Sequence, residues 1–213
     1  MKSEKVYIYG KHAIDEAQAH APHVLKKVMT DVAGEGHGGY VAVVDTTKLL
    51  IPYSEFVKTL KPNADTALLI LGGLTDPHNV GAIIRSAAAF NISAVLIPES
   101  NQAPITGTVA KTSAGMIFRI PLVTISSVED ALKDLKRLGC RAYGLAGKGT
   151  AVLGQEKFTT PTVFVIGNEG TGLSPEVESA CDTLLSIPIN PRTESLNAAQ
   201  ATTVVMYEWN KHE

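Results

Sequence analysis

Two textures of hydrophobic and polar positions divide the chain. From residue 66 onward, short runs in which nearly every position is apolar alternate with stretches whose apolar residues recur at helical spacing. The continuous runs, at 67–71, 94–97, 117–123, 141–145, 162–166 and 184–189, predict strands. Residues 80–90, 128–138, 175–180 and 195–209 predict helices. Strands with no polar alternation are buried on both faces. Their regular exchange with helices predicts an α/β fold, a mostly parallel sheet with helices on both sides. Residues 1–60 carry a weaker pattern, with strands expected at 6–9, 24–30 and 40–44 and helices at 12–20 and 54–60. A glycine-rich turn is expected at 34–39. Lys61-Pro62-Asn63-Ala64-Asp65 reads as a linker, because proline and polar residues cluster there. The expected organisation is a small α/β unit at 1–60, a linker at 61–65 and a main domain at 66–213.

Composition narrows the class. The chain has 213 residues, of which 45% are hydrophobic, enough for a substantial core. Its net charge of −2 does not announce a nucleic-acid binder, although a local basic patch remains compatible with one. Two cysteines, Cys140 and Cys181, do not make a disulfide framework and read as reduced thiols of a cytoplasmic protein. The first residues lack the apolar core of a signal peptide, and no apolar run approaches the ~18 residues that span a bilayer.

Several familiar chemistries lose support. Gly34, Gly36 and Gly39 have the spacing of a dinucleotide fingerprint, but a strand-like run follows where a helix is required. Gly147-Lys148-Gly149-Thr150 lacks the leading glycine and the Lys-Ser/Thr pair of a phosphate loop. The six histidines show no metal-ligand spacing, so no metal is expected. No Gly-x-Ser-x-Gly elbow is present.

Three polar constellations at strand ends carry the chemistry. In the first, a strand ends at Gly72-Gly73 and a helix begins at Asp76-Pro77, a suitable start. That helix is rich in small residues, with Asn79 and Arg85 as its polar exceptions. The second runs from Gly167 through Asn168, Glu169 and Gly170 to Gly172, where glycines permit close approach of backbone to a ligand. The third is Ile187-Pro188 followed by Ser195-Leu196-Asn197, which leads into a C-terminal helix nearly free of charge and hence covered. Each has an ordinary structural reading as a cap, a turn or a buried helix.

Taken together, in this order and spacing, the three motifs resemble the SpoU family of RNA ribose 2′-O-methyltransferases within the SPOUT superfamily. The resemblance covers about residues 66–210. Residues 9–17 more weakly resemble the opening of the family's small RNA-binding N-terminal domain, here shortened. The resemblance implies a C-terminal deep trefoil knot, S-adenosylmethionine as cofactor, a homodimer, and an RNA substrate, ribosomal RNA favoured over tRNA. It assigns Leu145, Gly147, Gly167, Ile187 and Leu196 to the cofactor. It assigns the catalytic group to Arg85, Asn79, Glu169, Ser195 and Asn197. Arg85 corresponds to the family's catalytic arginine. A guanidinium does not give up its proton readily, which makes it a poor base and a good clamp on phosphate. Three positions depart from the family pattern: Pro191 replaces a glycine, Thr193 an aliphatic residue, and Gln200 a small apolar one. An inactive RNA-binding relative acting in ribosome assembly is the alternative, and a nucleotide-dependent dehydrogenase a distant third.

Overall fold

The computed structural model describes residues 5–30 and 38–211. Gly34 and Gly36 of the expected glycine-rich turn lie outside the described residues.

The chain opens with β1 (Lys5–Tyr9), α1 (Lys11–His20), β2 (Leu25–Met29) and β3 (Val41–Asp45), and these strands form an antiparallel sheet ordered β1-β3-β2. Then come β4 (Leu50–Pro52), α2 (Tyr53–Thr59), β5 (Ala67–Leu71), α3 (Pro77–Ala89), β6 (Ala94–Pro98), α4 (Gly107–Thr112) and β7 (Leu122–Ile125). The remainder is α5 (Val128–Arg137), β8 (Arg141–Leu145), β9 (Ala151–Val152), β10 (Thr162–Ile166), α6 (Pro175–Ala180), β11 (Thr183–Ser186) and α7 (Ala198–Asn210). Eight strands make one parallel sheet in the order β4-β7-β6-β5-β10-β8-β11-β9.

Strand alternation sends successive side chains to opposite faces. Along β5, Ala67, Leu69 and Leu71 enter a core shared with α1, α3, α4 and α7, whereas Leu68 and Ile70 enter a second core under α5 and α6. Along β10, Phe164 and Ile166 join the first core, and Val163 and Val165 the second. Both faces are therefore covered, as continuous apolar runs require.

The first core also takes in Ile8, Ile14, Ala17, Ala42 and Val44 of the N-terminal layer. An ion pair between a buried carboxylate and a half-exposed arginine fastens the same junction. Arg119 Nη2 donates to Glu16 Oε1 at 2.9 Å, and Glu16 is only 8% exposed. The Arg119 hydrogen bond is the chief reason the Glu16 carboxyl stays below the usual carboxylate range, against the opposing effect of burial. Moreover β4, which precedes the expected linker at 61–65, is the edge strand of the large sheet, paired with β7.

Boundaries differ from expectation in several places. Residues 117–123 do not form one strand. Ala114 and Gly115 take positive φ, a 3-10 turn follows at Met116–Phe118, and β7 begins at Leu122. Residues 187–189 lie beyond β11. The C-terminal helix starts at Ala198 rather than 195. Helix α4 and strands β4 and β9 were not foreseen.

Candidate active site

Because the large sheet is parallel, the loops leaving β5, β8, β10 and β11 emerge at the same carboxyl edge, where open α/β sheets bind ligands. Local chemistry fixes each loop. After β5, the Asp76 carboxylate caps α3 by accepting from the His78 N–H at 2.8 Å, with Pro77 in the first turn. After β10, the backbones of Asn168 and Gly172 exchange two hydrogen bonds of 3.0 and 2.9 Å, closing a tight hairpin. Gly167 is required there, since a Cβ would collide with the Gly172 backbone. After β11, Asn197 caps α7, its Oδ1 accepting from Ala199 N at 2.8 Å and Gln200 N at 3.4 Å.

One chain of hydrogen bonds ties these loops together. Asn197 Nδ2 donates to Asn79 Oδ1 at 2.9 Å, and Asn79 Nδ2 donates to Glu169 Oε1 at 3.1 Å. Glu169 also accepts the Asp76 and Thr75 amides, each at 3.2 Å. Burial pushes the Glu169 carboxyl up, but the donors from Asn79, Thr75 and Asp76 outweigh it and hold it below the ordinary range. Glu169 is thus an ionised brace between the first and second motifs, and Asn79 relays it to the third.

Beside this chain lies a cavity of about 540 Å³. Leu145, Gly147, Ile187 and Leu196 line it together with Ser195. Four of the five residues assigned to the cofactor therefore meet around one space, while Gly167 lies outside the lining and shapes the neighbouring hairpin. Ser195 is not in the first helical turn. It stands in the loop, on the cavity wall, two residues before the Asn197 cap. Pro191 and Thr193 line the same cavity, whereas Gln200 is exposed on α7.

Arg85 is placed apart from both groups. It is six residues after Asn79 on α3, about 120° away around the helix axis at 100° per residue, and is exposed. It shares an outward stripe with His78, Ala82 and Ala89. That stripe runs beside α7, to which α3 is joined by a 2.8 Å contact between Ser86 Oγ and Thr203 Oγ1.

Sequence reasoning missed three contributors. Asn168 donates to Gly73 O at 2.8 Å and accepts from Gly170 N at 2.9 Å, so it ties the first two motifs a second time. An asparagine inside a glycine loop is the available signal. Lys148 and Glu194 bring opposite charges to the cavity. Only their proximity to Gly147 and Ser195 in sequence could have pointed to them. Among the described residues, no group of three or more His, Cys, Asp or Glu could hold a metal ion.

This geometry accords with known proteins. Residues 66–207 match the SpoU rRNA Methylase family. Over 186 residues the chain is 35% identical to the 23S rRNA (guanosine-2′-O-)-methyltransferase RlmB of Vibrio vulnificus, covering 87% of this chain and 75% of that protein. It is 43% identical over 141 residues to the RlmB of Xanthomonas campestris pv. campestris, covering 66% of this chain and 57% of that protein. The SpoU methyltransferase AviRb from Streptomyces viridochromogenes, solved in complex with AdoMet, shares the fold. Its TM-score is 0.80 at 24% identity, over 97% of this chain and 89% of that one. A match that spans the β5, β10 and β11 loops and the sheet that carries them establishes that the chain belongs to the SpoU rRNA methylase family.

Proposed function

We propose that this chain transfers a methyl group from S-adenosylmethionine to a ribose 2′-hydroxyl of ribosomal RNA, the substrate named for its Vibrio and Xanthomonas relatives. One observation carries the reading. The 540 Å³ cavity and the Asn197–Asn79–Glu169 chain share the loop after β11, inside the segment that matches the family.

The cavity suits the cofactor. Its size falls within the usual range for small-molecule sites. Leu145, Leu185, Ile187 and Leu196 offer apolar walls to an adenine ring and a methionine chain, and the 145–148 backbone offers polar groups to the purine edge. When bound, the cofactor supplies an electrophilic methyl carbon on a sulfonium. The chain's own residues then have three tasks. Ser195 presents its hydroxyl from the cavity wall and orients the ribose. Asn79, Glu169 and Asn197 act as positioning residues that keep that wall fixed. Arg85, always charged, clamps the substrate phosphate and draws it toward the 2′-hydroxyl, where it assists proton loss. Such alignment can contribute several kcal/mol, about 7 in favourable cases.

The finer architecture follows the same reading. The segment after β10 forms the trefoil knot, consistent with β8 lying between β10 and β11 in the sheet. Two copies associate through α3 and α7, where Val204 and Tyr207 are exposed and Phe90 meets Tyr207 edge-on at 5.9 Å. Residues 1–60 are the RNA-reading unit. The protein works in the cytoplasm. Burial pushes both thiols up to about 11, as suits inert reduced cysteines.

The test has two stages. Calorimetry should show S-adenosylmethionine binding, weakened when the cavity is narrowed by Ala201→Phe. Mapping of 2′-O-methylation in ribosomal RNA, with and without the expressed protein, should reveal at least one dependent nucleotide. An unchanged map overturns the catalytic reading.

A further inference from the structure

The outer face of the N-terminal sheet has a composition that the methyl-transfer site does not use. Along β1, Ile8 is buried, whereas Lys5, Tyr7 and Tyr9 are exposed, Tyr7 at 53% and Tyr9 at 39%. Residues directly opposite in antiparallel strands share a face. Tyr7, Val43 and Lys27 therefore stand in one row, and Tyr9, Val41 and Met29 in the next. Asp45 is the one acidic residue in these three strands. It is 3% exposed and paired with Lys26 at 3.2 Å. The charge this sheet shows to solvent is thus positive, from Lys5 and Lys27.

The face is also joined to the candidate active site. Gly107, at the start of α4, lies so close to the Tyr7 carbonyl that a Cβ would not fit, and the Tyr9 ring borders the same spot. At the other end of α4, Thr112 Oγ1 is 3.5 Å from His78 Nδ1 on α3, the helix that bears Arg85. Six helical residues span about 9 Å, so only one short helix separates the tyrosines from α3.

We infer that this outer face is the stacking surface for unpaired bases of the RNA substrate, with Tyr7 as the principal ring and Lys5 and Lys27 as phosphate contacts. Unpaired RNA offers π-faces to aromatic rings and a backbone to cations, and this face supplies both. A purely apolar protein partner would not match rings flanked by lysines. The identity of the occupant rests on the RNA-methyltransferase reading; the surface does not.

The experiment uses the full chain and a labelled single-stranded RNA oligonucleotide, with the same sequence as a duplex for comparison. Tyr7→Ala should weaken single-strand binding about tenfold, within the range for loss of one stacked base. Tyr7→Phe should stay within twofold, because it keeps the ring. Lys5→Ala with Lys27→Ala should reduce the slope of log affinity against log salt by about 1.4, for two single-strand phosphate contacts. Should Tyr7→Ala fail to fold, photocrosslinking of the unaltered protein to 4-thiouridine RNA gives the answer. A crosslink on residues 6–11, which trypsin releases as one peptide, supports the proposal, and crosslinks confined to other peptides overturn it. Single-strand binding within twofold of the parent in a folded Tyr7→Ala overturns it too. So does a change of sedimentation mass with RNA affinity intact, which would mark the face as a contact between copies. If Tyr7-dependent RNA binding is found but no ribose is methylated, the catalytic reading fails and this surface stands.

Discussion

Asn79 spends its acceptor on Asn197 of one loop and its donor on Glu169 of another. Replacing it with alanine leaves Asn197 Nδ2 and Glu169 Oε1 without the partners they have at 2.9 and 3.1 Å. Unmade bonds of this kind cost about 1–3 kcal/mol, so Asn79→Ala should lower the denaturant midpoint by that equivalent and reduce methyl transfer more than cofactor binding. Glu169 yields a pH test. Its folded carboxyl is held below the ordinary value of 4.5. A depressed carboxylate stabilises fully above its unfolded pKa, and the contribution is lost as pH falls through the folded one. The stability gap between the parent and Glu169→Gln should therefore be constant near neutrality and narrow below about pH 4.5. A gap that widens toward acid would contradict the brace. Lys148 and Glu194 invite a binding test, since the methionine end of the proposed cofactor carries both an ammonium and a carboxylate. Exposed charge pairs are worth roughly 0.2–1 kcal/mol. Either alanine variant should thus weaken S-adenosylmethionine binding by up to about fivefold by calorimetry, and less at high salt. Most of the residues that meet here were legible because they sit at strand ends in three ordered motifs. The separation of Arg85 from them was not, because motif spacing does not reveal which side of a helix faces the site.

At the scale of elements, the contact between α3 and α4 is set by Gly81. An added Cβ would lie 2.7 Å from Thr112 Cβ and 3.0 Å from the Val109 carbonyl. Glycine to alanine within a helix ordinarily gains about 1 kcal/mol. Here overpacking, typically about 1–3 kcal/mol, opposes that gain and acts on backbone that cannot rotate away. Gly81→Ala should therefore lower the thermal midpoint, against the helix-propensity expectation. It should also shift His78, which leans on the same Thr112. Long apolar runs and the start of α3 were readable in advance, Asp76 capping that helix where the residue type suggested. Short elements were not. Helix α4 has six residues, among them Gly107 and two threonines, and too little length for a period to show. Strand β4 has three and ends in proline, tolerable only because it lies at the sheet edge. The run at 117–123 looked continuous because Ile117 and Phe118 are buried, yet their burial comes from a turn packed beside α1 and α3 rather than from a strand.

Across the whole molecule, the alternation of apolar runs and helices was enough to predict a parallel sheet with two covered faces. Pattern alone did not show that the first sixty residues would share its core. A linker-like composition at 61–65 suggests two independent units, but Ile8, Ile14, Ala42 and Val44 belong to the same cluster as Phe164 and Trp209. Glu16 reaches Arg119 across 103 positions of sequence, and β4 pairs with β7. Two units with separate cores would unfold separately, while a continuous core enforces a single transition. The chain carries its own probe, since Trp209 is the only tryptophan and is 2% exposed on α7. Its fluorescence reports the shared core at α7, which packs against α3. At fixed protein concentration, which holds association constant, the Trp209 transition in denaturant should coincide with loss of amide protection in β1 and β3. Their protection should correspond to the global free energy, because the layer has no core of its own to preserve it. Arg119→Ala should move both probes together to lower denaturant. An N-terminal sheet that loses protection well before Trp209 reports unfolding would show that the junction is a docking contact and that the N-terminal layer can open while the candidate active site stays folded.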